Sequence, residues 1–212
     1  MTSSLVGSEM CIRDRSRHSK INSKRKKNMR VIAGTARSLP LKTIEGLETR
    51  PTTDRIKETL FNMLTGYVPQ AKFLDLFAGS GGIGIEALSR GAESCTFVEQ
   101  AKNAAACIED NLKFTKLADK AQVRKFDAVS FVSSLPEIDY DVIFMDPPYS
   151  KGLERRVLEV LSTKKFTTDT LIVVEAALDE DFSYVDALGF EITKDKHYKT
   201  NKHVFLMQKE NV

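Results

Sequence analysis

The sequence predicts an α/β fold in which a doubly wound, mostly parallel sheet carries helices on both faces. Three observations predict it. Short apolar runs rich in β-branched residues alternate with helical stretches beyond residue 70, which is the pattern of buried parallel strands joined by crossover helices. A glycine-rich turn, "DLFAGSGGIG", connects the first of these runs directly to a helix. The last two extended runs, "FEITKDKHY" and "KHVFLMQKE", follow one another without a helix, so they are expected to pair antiparallel and finish one edge. A chain of 212 residues with 42% hydrophobic content can bury a sizeable core, and its length fits one domain with appendages.

Taken in order, the first element is a tail. Residues 1–28 hold eight Lys and Arg against Glu9 and Asp14, so they carry all of the basic excess and leave the remainder at a net charge of −3. The segment is rich in Ser and Lys and has no periodicity, the composition of a disordered arm. Its "SLVGSEMCIRDR" resembles a peptide translated from sequencing-adapter DNA, and Met29 follows just after. The tail is therefore expected to be non-native and dispensable.

From Met29, "RVIAG" and "LPLKT" flank a polar "TARS", the signature of a small hairpin or two edge strands. "RPTTDRIKETLFNML" then predicts a helix capped by Thr53 or Asp54, with Ile56, Leu60, Phe61 and Leu64 on one face. Residues 29–69 form this hairpin-and-helix appendage, and residues 70–212 the main domain. Strand "KFLDLF", the glycine turn and its helix open the main domain. Strand "SCTFVEQ", a helix over 101–114, strand "AQVRKF", a short helix from Asp127, strand "YDVIFMD", a helix over 152–162 and strand "TLIVVEA" continue it.

Composition also narrows the function. No apolar stretch approaches the roughly 20 residues of a membrane span, and the N-terminus lacks the apolar core of a secretory signal, so the cytoplasm is expected. Cys11, Cys95 and Cys107 show no metal-ligand spacing with His18, His197 or His203, so they are read as reduced thiols and no metal is expected.

Gly79, Gly81 and Gly84 satisfy a G-x-G-x-x-G pattern between a strand and a helix, where missing side chains let backbone N–H groups approach a ligand. Glu99 ends the next strand, 20 residues after Gly79, and can accept the ribose hydroxyls of an adenosine. Asp75, inside the first strand, decides between cofactors. An anion beside a pyrophosphate is unfavourable, but beside a cationic sulfonium it is favourable, which selects S-adenosyl-L-methionine. A nicotinamide dinucleotide and an oxidoreductase are the alternative; they leave the segment described next without a task. Asp127 either accepts from the adenine amino group or caps the helix that follows it.

"DVIFMDPPY" ends the fourth strand, at the sheet edge where open α/β folds bind ligands. Asp146 and the Asp146 and Pro147 carbonyls present acceptors to an exocyclic amine, Pro147 and Pro148 stiffen the segment and donate nothing, and Tyr149 offers a face for stacking. Acceptors on both N–H groups favour the nitrogen as charge develops during attack on a methyl group. The quartet recognises an amino group and leaves guanine N2 and adenine N6 both open.

"RPTTDRIKETLFNML", "LDLFAGSGGIGIEALSRGA", "FVEQ" and "DVIFMDPPY", in this order, resemble the RsmD family, which methylates N2 of a guanine in bacterial 16S ribosomal RNA with S-adenosylmethionine. The resemblance runs from Met29 to the C-terminus. It implies the class I S-adenosylmethionine-dependent methyltransferase (Rossmann-like) fold, with a seven-stranded sheet whose last strand is antiparallel. It also implies a cofactor site lined by Asp75, Phe77, Ala78, Gly79, Gly81 and Glu99 with Asp127 near adenine, and a guanine site at Asp146, Pro147, Pro148 and Tyr149. The chain departs from the family pattern at "HYKTNKHVF", where Lys199 replaces a usual glycine. Residues 29–60 have a net charge of +2 in an otherwise acidic domain, so the hairpin and first helix are the expected phosphate-contacting face. Arg37, Arg50, Thr52, Arg55 and Lys57 are its candidate RNA contacts. The expected partner is 16S rRNA, naked or within a small-subunit particle, and the protein is expected to be a monomer.

Overall fold

The computed structural model describes residues 29–44, 54–149 and 151–209. The tail 1–28 lies outside them, as do Arg50, Thr52 and Thr53, so the expectations placed on those residues have no structural counterpart.

Seven strands form one sheet: β1 (Lys72–Leu76), β2 (Ser94–Val98), β3 (Ala121–Arg124), β4 (Val142–Met145), β5 (Leu171–Ala176), β6 (Phe190–His197) and β7 (Lys202–Gln208), in the spatial order β3-β2-β1-β4-β5-β7-β6. The first five are parallel, and β7 runs antiparallel between β5 and β6. Both the alternation and the closing antiparallel pair agree with the sequence. The helices are α1 (Asp54–Met63), α2 (Gly82–Ser89), α3 (Lys102–Thr115), α4 (Ala128–Ser134) and α5 (Leu153–Leu161).

Strand side chains alternate between two cores. Phe73, Phe97, Phe144, Val173 and Phe205 face Leu60 and Phe61 of α1, Leu64 just beyond it, Ile85 of α2 and Ile108 of α3. Leu74, Leu76, Ile143, Met145, Ile172 and Val174 face Val132 of α4 and Val157, Leu158 and Leu161 of α5. Each such side chain stabilises the fold by roughly 1.5–3 kcal/mol, which explains why β5 is buried along its whole length. Edge strand β6 is exposed after Phe190, carries Lys194, Asp195 and Lys196, and shifts register between Ile192 and Lys194. Charge and a bulge together discourage another strand from adding there.

The two extended runs near Met29 do make a hairpin, with Val31 N–H donating to Leu39 at 3.0 Å and Leu41 N–H to Met29 at 2.8 Å. Among the described residues this hairpin has one bridge of strand geometry, Arg30 to Pro40; it is the non-hydrogen-bonded pair between those two bonds, a position that tolerates the missing N–H of Pro40. The hairpin is fastened to α2 by Glu86, whose carboxylate accepts from Ile32 N–H (2.7 Å), Ala33 N–H (3.0 Å), Arg90 Nε (2.8 Å) and Lys57 Nζ (3.0 Å). Lys57 is therefore corrected from an RNA contact to a core residue. It is 2% exposed, and its ammonium is occupied by Glu86 and the Arg30 carbonyl. Among the described residues no helix is long and apolar enough to cross a membrane.

The chain crosses from β1 to β2 on one side and returns to β4 on the other. This reversal of strand order opens a crevice at the C-terminal ends of β1 and β4.

Candidate active site

The glycine turn leaves β1 through Phe77, whose φ of 61° is left-handed and costs a residue with a side chain about 1–3 kcal/mol. Gly79 (φ 56°) and Gly81 (φ 81°) continue in the same region, where glycine is unstrained. Three N–H groups of the turn are held. Ala78 N–H donates to Val98 at 3.0 Å, and Gly81 N–H donates to Ala78 at 2.7 Å. Glu99 Oε2 accepts from Gly79 N–H at 2.9 Å, while Oε1 accepts from Ala101 N–H at 2.8 Å. Glu99 thus stands at the glycine bend, as its spacing predicts. A Cβ on Gly79 would meet nothing within 4 Å, so the space beside the bend is open there.

Asp75 differs from its expectation. It is 2% exposed and lies beneath the turn, where Oδ2 accepts from Gly84 N–H at 2.9 Å. It anchors the start of α2 instead of lining the open crevice. Burial raises its carboxyl to about 7, opposed by the Gly84 hydrogen bond and assisted by Glu99. Gly84 allows α2 to press on the sheet: a Cβ there would overlap the Phe97 ring and lie 2.7 Å from Cys95 Sγ.

Asp127 caps α4, with Oδ1 accepting from Ser130 N–H at 2.9 Å and from Ser130 Oγ at 3.0 Å. Among the described residues its other oxygen has no partner, so the cap leaves one acceptor on the rim next to the β2 and β3 ends.

Asp146 begins the segment after β4. The β1–β4 register places Asp75 beside Phe144, and Asp146 lies two residues on, hence on the same face and one step nearer the rim. Burial, then Glu175, then Asp75 push its carboxyl well above the usual range. Pro147 is buried, whereas Pro148 and Tyr149 are exposed and the Tyr149 ring is 45% accessible. The stiff pair therefore carries the aromatic face outward from a fixed acceptor. Asp75, Glu99, Asp146 and Glu175 gather four carboxyl groups at the C-terminal ends of β1, β2, β4 and β5, and a bound cation would favour their ionised forms where a pyrophosphate would oppose them.

Several residues of the site escape sequence reasoning. Asn111 of α3 is buried and ties the hairpin to the glycine turn. Its Oδ1 accepts from Lys42 N–H at 2.8 Å, and its Nδ2 donates to the Lys42 carbonyl at 3.1 Å and the Ser80 carbonyl at 3.0 Å. Glu175 on β5 is also buried. Its Oε1 accepts from Asn201 Nδ2 at 2.6 Å, its Oε2 meets His203 Nε2 at 3.1 Å, and His203 Nδ1 meets the Tyr198 hydroxyl at 3.1 Å. The available signal was an acid inside the apolar run "LIVVEA" and a histidine inside "KHVFLM".

Of the candidate RNA contacts, Arg37 and Arg55 are exposed. Arg30 pairs with Asp54 at 2.9 Å and Lys42 with Asp110 at 2.8 Å.

A family model described as "Conserved hypothetical protein 95" matches residues 29–207. The chain belongs to this family, the RsmD family. Relatives include "Ribosomal RNA small subunit methyltransferase D" of Haemophilus influenzae, 39% identical over 160 residues that cover 73% of this chain and 82% of that protein. The protein of the same name from Escherichia coli K12 is 37% identical over 162 residues, covering 75% of this chain and 80% of its own. The solved structure of Escherichia coli yhhF superposes with a TM-score of 0.77 at 32% identity, over 87% of this chain and 99% of that one. The RsmD sheet described above, with its antiparallel β7, is the class I S-adenosylmethionine-dependent methyltransferase fold.

Proposed function

We propose that this protein transfers the methyl group of S-adenosylmethionine to the exocyclic N2 of a guanine in bacterial 16S ribosomal RNA. The observation that carries the reading is the adjacency of two devices across β1 and β4: a glycine bend bridged by Glu99, and a stiff acceptor at Asp146 followed by an exposed ring. Relatives named as small-subunit ribosomal RNA methyltransferases support it.

The chain's own residues divide the work. Glu99 accepts the ribose hydroxyls, Asp127 offers an acceptor to the adenine amino group, and Phe77, Ala78, Gly79 and Gly81 shape the floor. The buried Asp75 carboxyl beneath the bend ionises more readily beside a cationic ligand, and so favours one. Bound S-adenosylmethionine supplies an electrophilic methyl group on a cationic sulfur. Asp146 and the Pro147 carbonyl hold the amine, and Tyr149 stacks on the base, which leaves its own stack at a cost of a few kcal/mol. Arg37, Arg50, Thr52 and Arg55 contact phosphates. The enzyme acts in the cytoplasm as a monomer, on naked rRNA or on a small-subunit particle.

Incubation with methyl-labelled S-adenosylmethionine and either naked 16S rRNA or small-subunit particles, followed by nucleoside analysis, tests this. Label in N2-methylguanosine is expected. Label in N6-methyladenosine would move the reading to the adenine class, and a protein that binds NADH but not S-adenosylmethionine would end it.

A further inference from the structure

A row of polar side chains crosses the C-terminal rim of an otherwise apolar sheet face. β4 and β5 pair Phe144 with Val173 and Met145 with Val174, so Asp146 and Glu175 occupy the next rung on neighbouring strands, which lie about 4.8 Å apart. β5 and β7 pair Glu175 with His203 on the same rung, and the Phe144 ring packs edge-on against His203 at 6.2 Å. Glu175 is saturated by Asn201 and His203, and His203 is fixed by Tyr198. Burial and Glu175 raise the Tyr198 hydroxyl to about 12, so this end of the chain stays protonated. The network thereby fixes both Glu175 oxygens beside Asp146, whose carboxyl Glu175 pushes up.

We infer that Glu175 is a positioning residue for methyl transfer: clamped by Asn201 and His203, it keeps the neighbouring Asp146 carboxylate ready to take the proton released by the attacking nitrogen. The inference rests on the reading of Asp146 as the amine acceptor. The nitrogen–carbon bond forms as the sulfur–carbon bond breaks, and the nitrogen's proton passes to Asp146 and then to water. The groups that face Asp146 are Asp75 from β1 and Glu175 from β5, with His203 and Tyr198 behind Glu175 on the β7 side. Burial already disfavours its anion, and the fixed charge of Glu175 adds to that.

Glu175→Gln keeps the shape and removes the charge. The pH profile of single-turnover methyl transfer is compared between the parent, Glu175→Gln and the charge-conserving Glu175→Asp. The acid limb is expected to fall by at least one pH unit in Glu175→Gln and to return towards the parent in Glu175→Asp. A rate lowered equally at all pH values, with the limb unmoved, would make Glu175 merely structural and overturn the inference. If Glu175→Gln does not fold, the neutral pair Glu175→Gln with His203→Gln carries the same expectation. Carbon-13 NMR of aspartate carboxyls, with the Asp146 signal identified by its loss in Asp146→Asn, reads the same shift without turnover. It separates the two failures: a parent that methylates no RNA refutes the proposed function, whereas an Asp146 midpoint indifferent to Glu175→Gln refutes this inference.

Discussion

Glu99 Oε2 accepts the Gly79 N–H at 2.9 Å, joining the end of β2 to the bend that leaves β1. One carboxylate thereby orders the turn and presents itself to whatever lies above it. Glu99→Gln should weaken S-adenosylmethionine binding roughly ten- to hundredfold, since hydrogen bonds to a charged group are worth about 1.5–3 kcal/mol. Titration calorimetry measures this, and unchanged affinity would remove Glu99 from the cofactor site.

Gly84 is where α2 meets the sheet most closely. Gly84→Ala drives a methyl into the Phe97 ring and the Cys95 sulfur, an overpacking expected to cost about 1–3 kcal/mol. Chemical denaturation should show the loss; full stability would mean that α2 can lift away freely.

Asp75 makes stability depend on pH in a defined direction. Its folded-state value of about 7 lies above its ordinary value, so the native state binds a proton that the unfolded chain releases. The contribution is present at low pH and is lost as pH rises from about 4 towards about 7. Asp146 is pushed the same way. Asp75→Asn keeps an acceptor for Gly84 N–H and should flatten the decline, as measured by denaturant titration at several pH values. A slope equal to the parent's would contradict this.

Lys57 and Arg37 should separate cleanly. Lys57→Ala leaves Glu86 buried beside an incomplete set of cations, and breaking a buried pair costs about 3–5 kcal/mol. In a chain of this size that lowers Tm by roughly 10 °C. Arg37→Ala should leave Tm unchanged and reduce the salt slope of RNA binding by about 0.7–0.9. An unchanged slope would remove Arg37 from the RNA face.

These assignments show what the sequence discloses. The strands, the glycine turn and "DPPY" are legible because their signals are local: β-branched runs, glycines where φ is positive, and prolines that fix an exit. Glu99 is legible because a βα unit has a nearly constant length. The fate of a charge is not local. Lys57 reads as a surface cation until Glu86, on another helix, lies across from it. Asp75 reads as a ligand until the turn folds over it. Glu175, Asn201 and His203 acquire meaning only when β7 inserts beside β5, a pairing that the sequence predicts in outline but whose register it does not reveal.

The central claim is that Asp146 holds the amine under attack. Asp146→Ala, assayed in a single turnover on 16S rRNA with S-adenosylmethionine and RNA affinities measured in parallel, tests it most directly. The structure predicts loss of transfer with both affinities within a few-fold of the parent, whereas transfer at the parent's rate would contradict it.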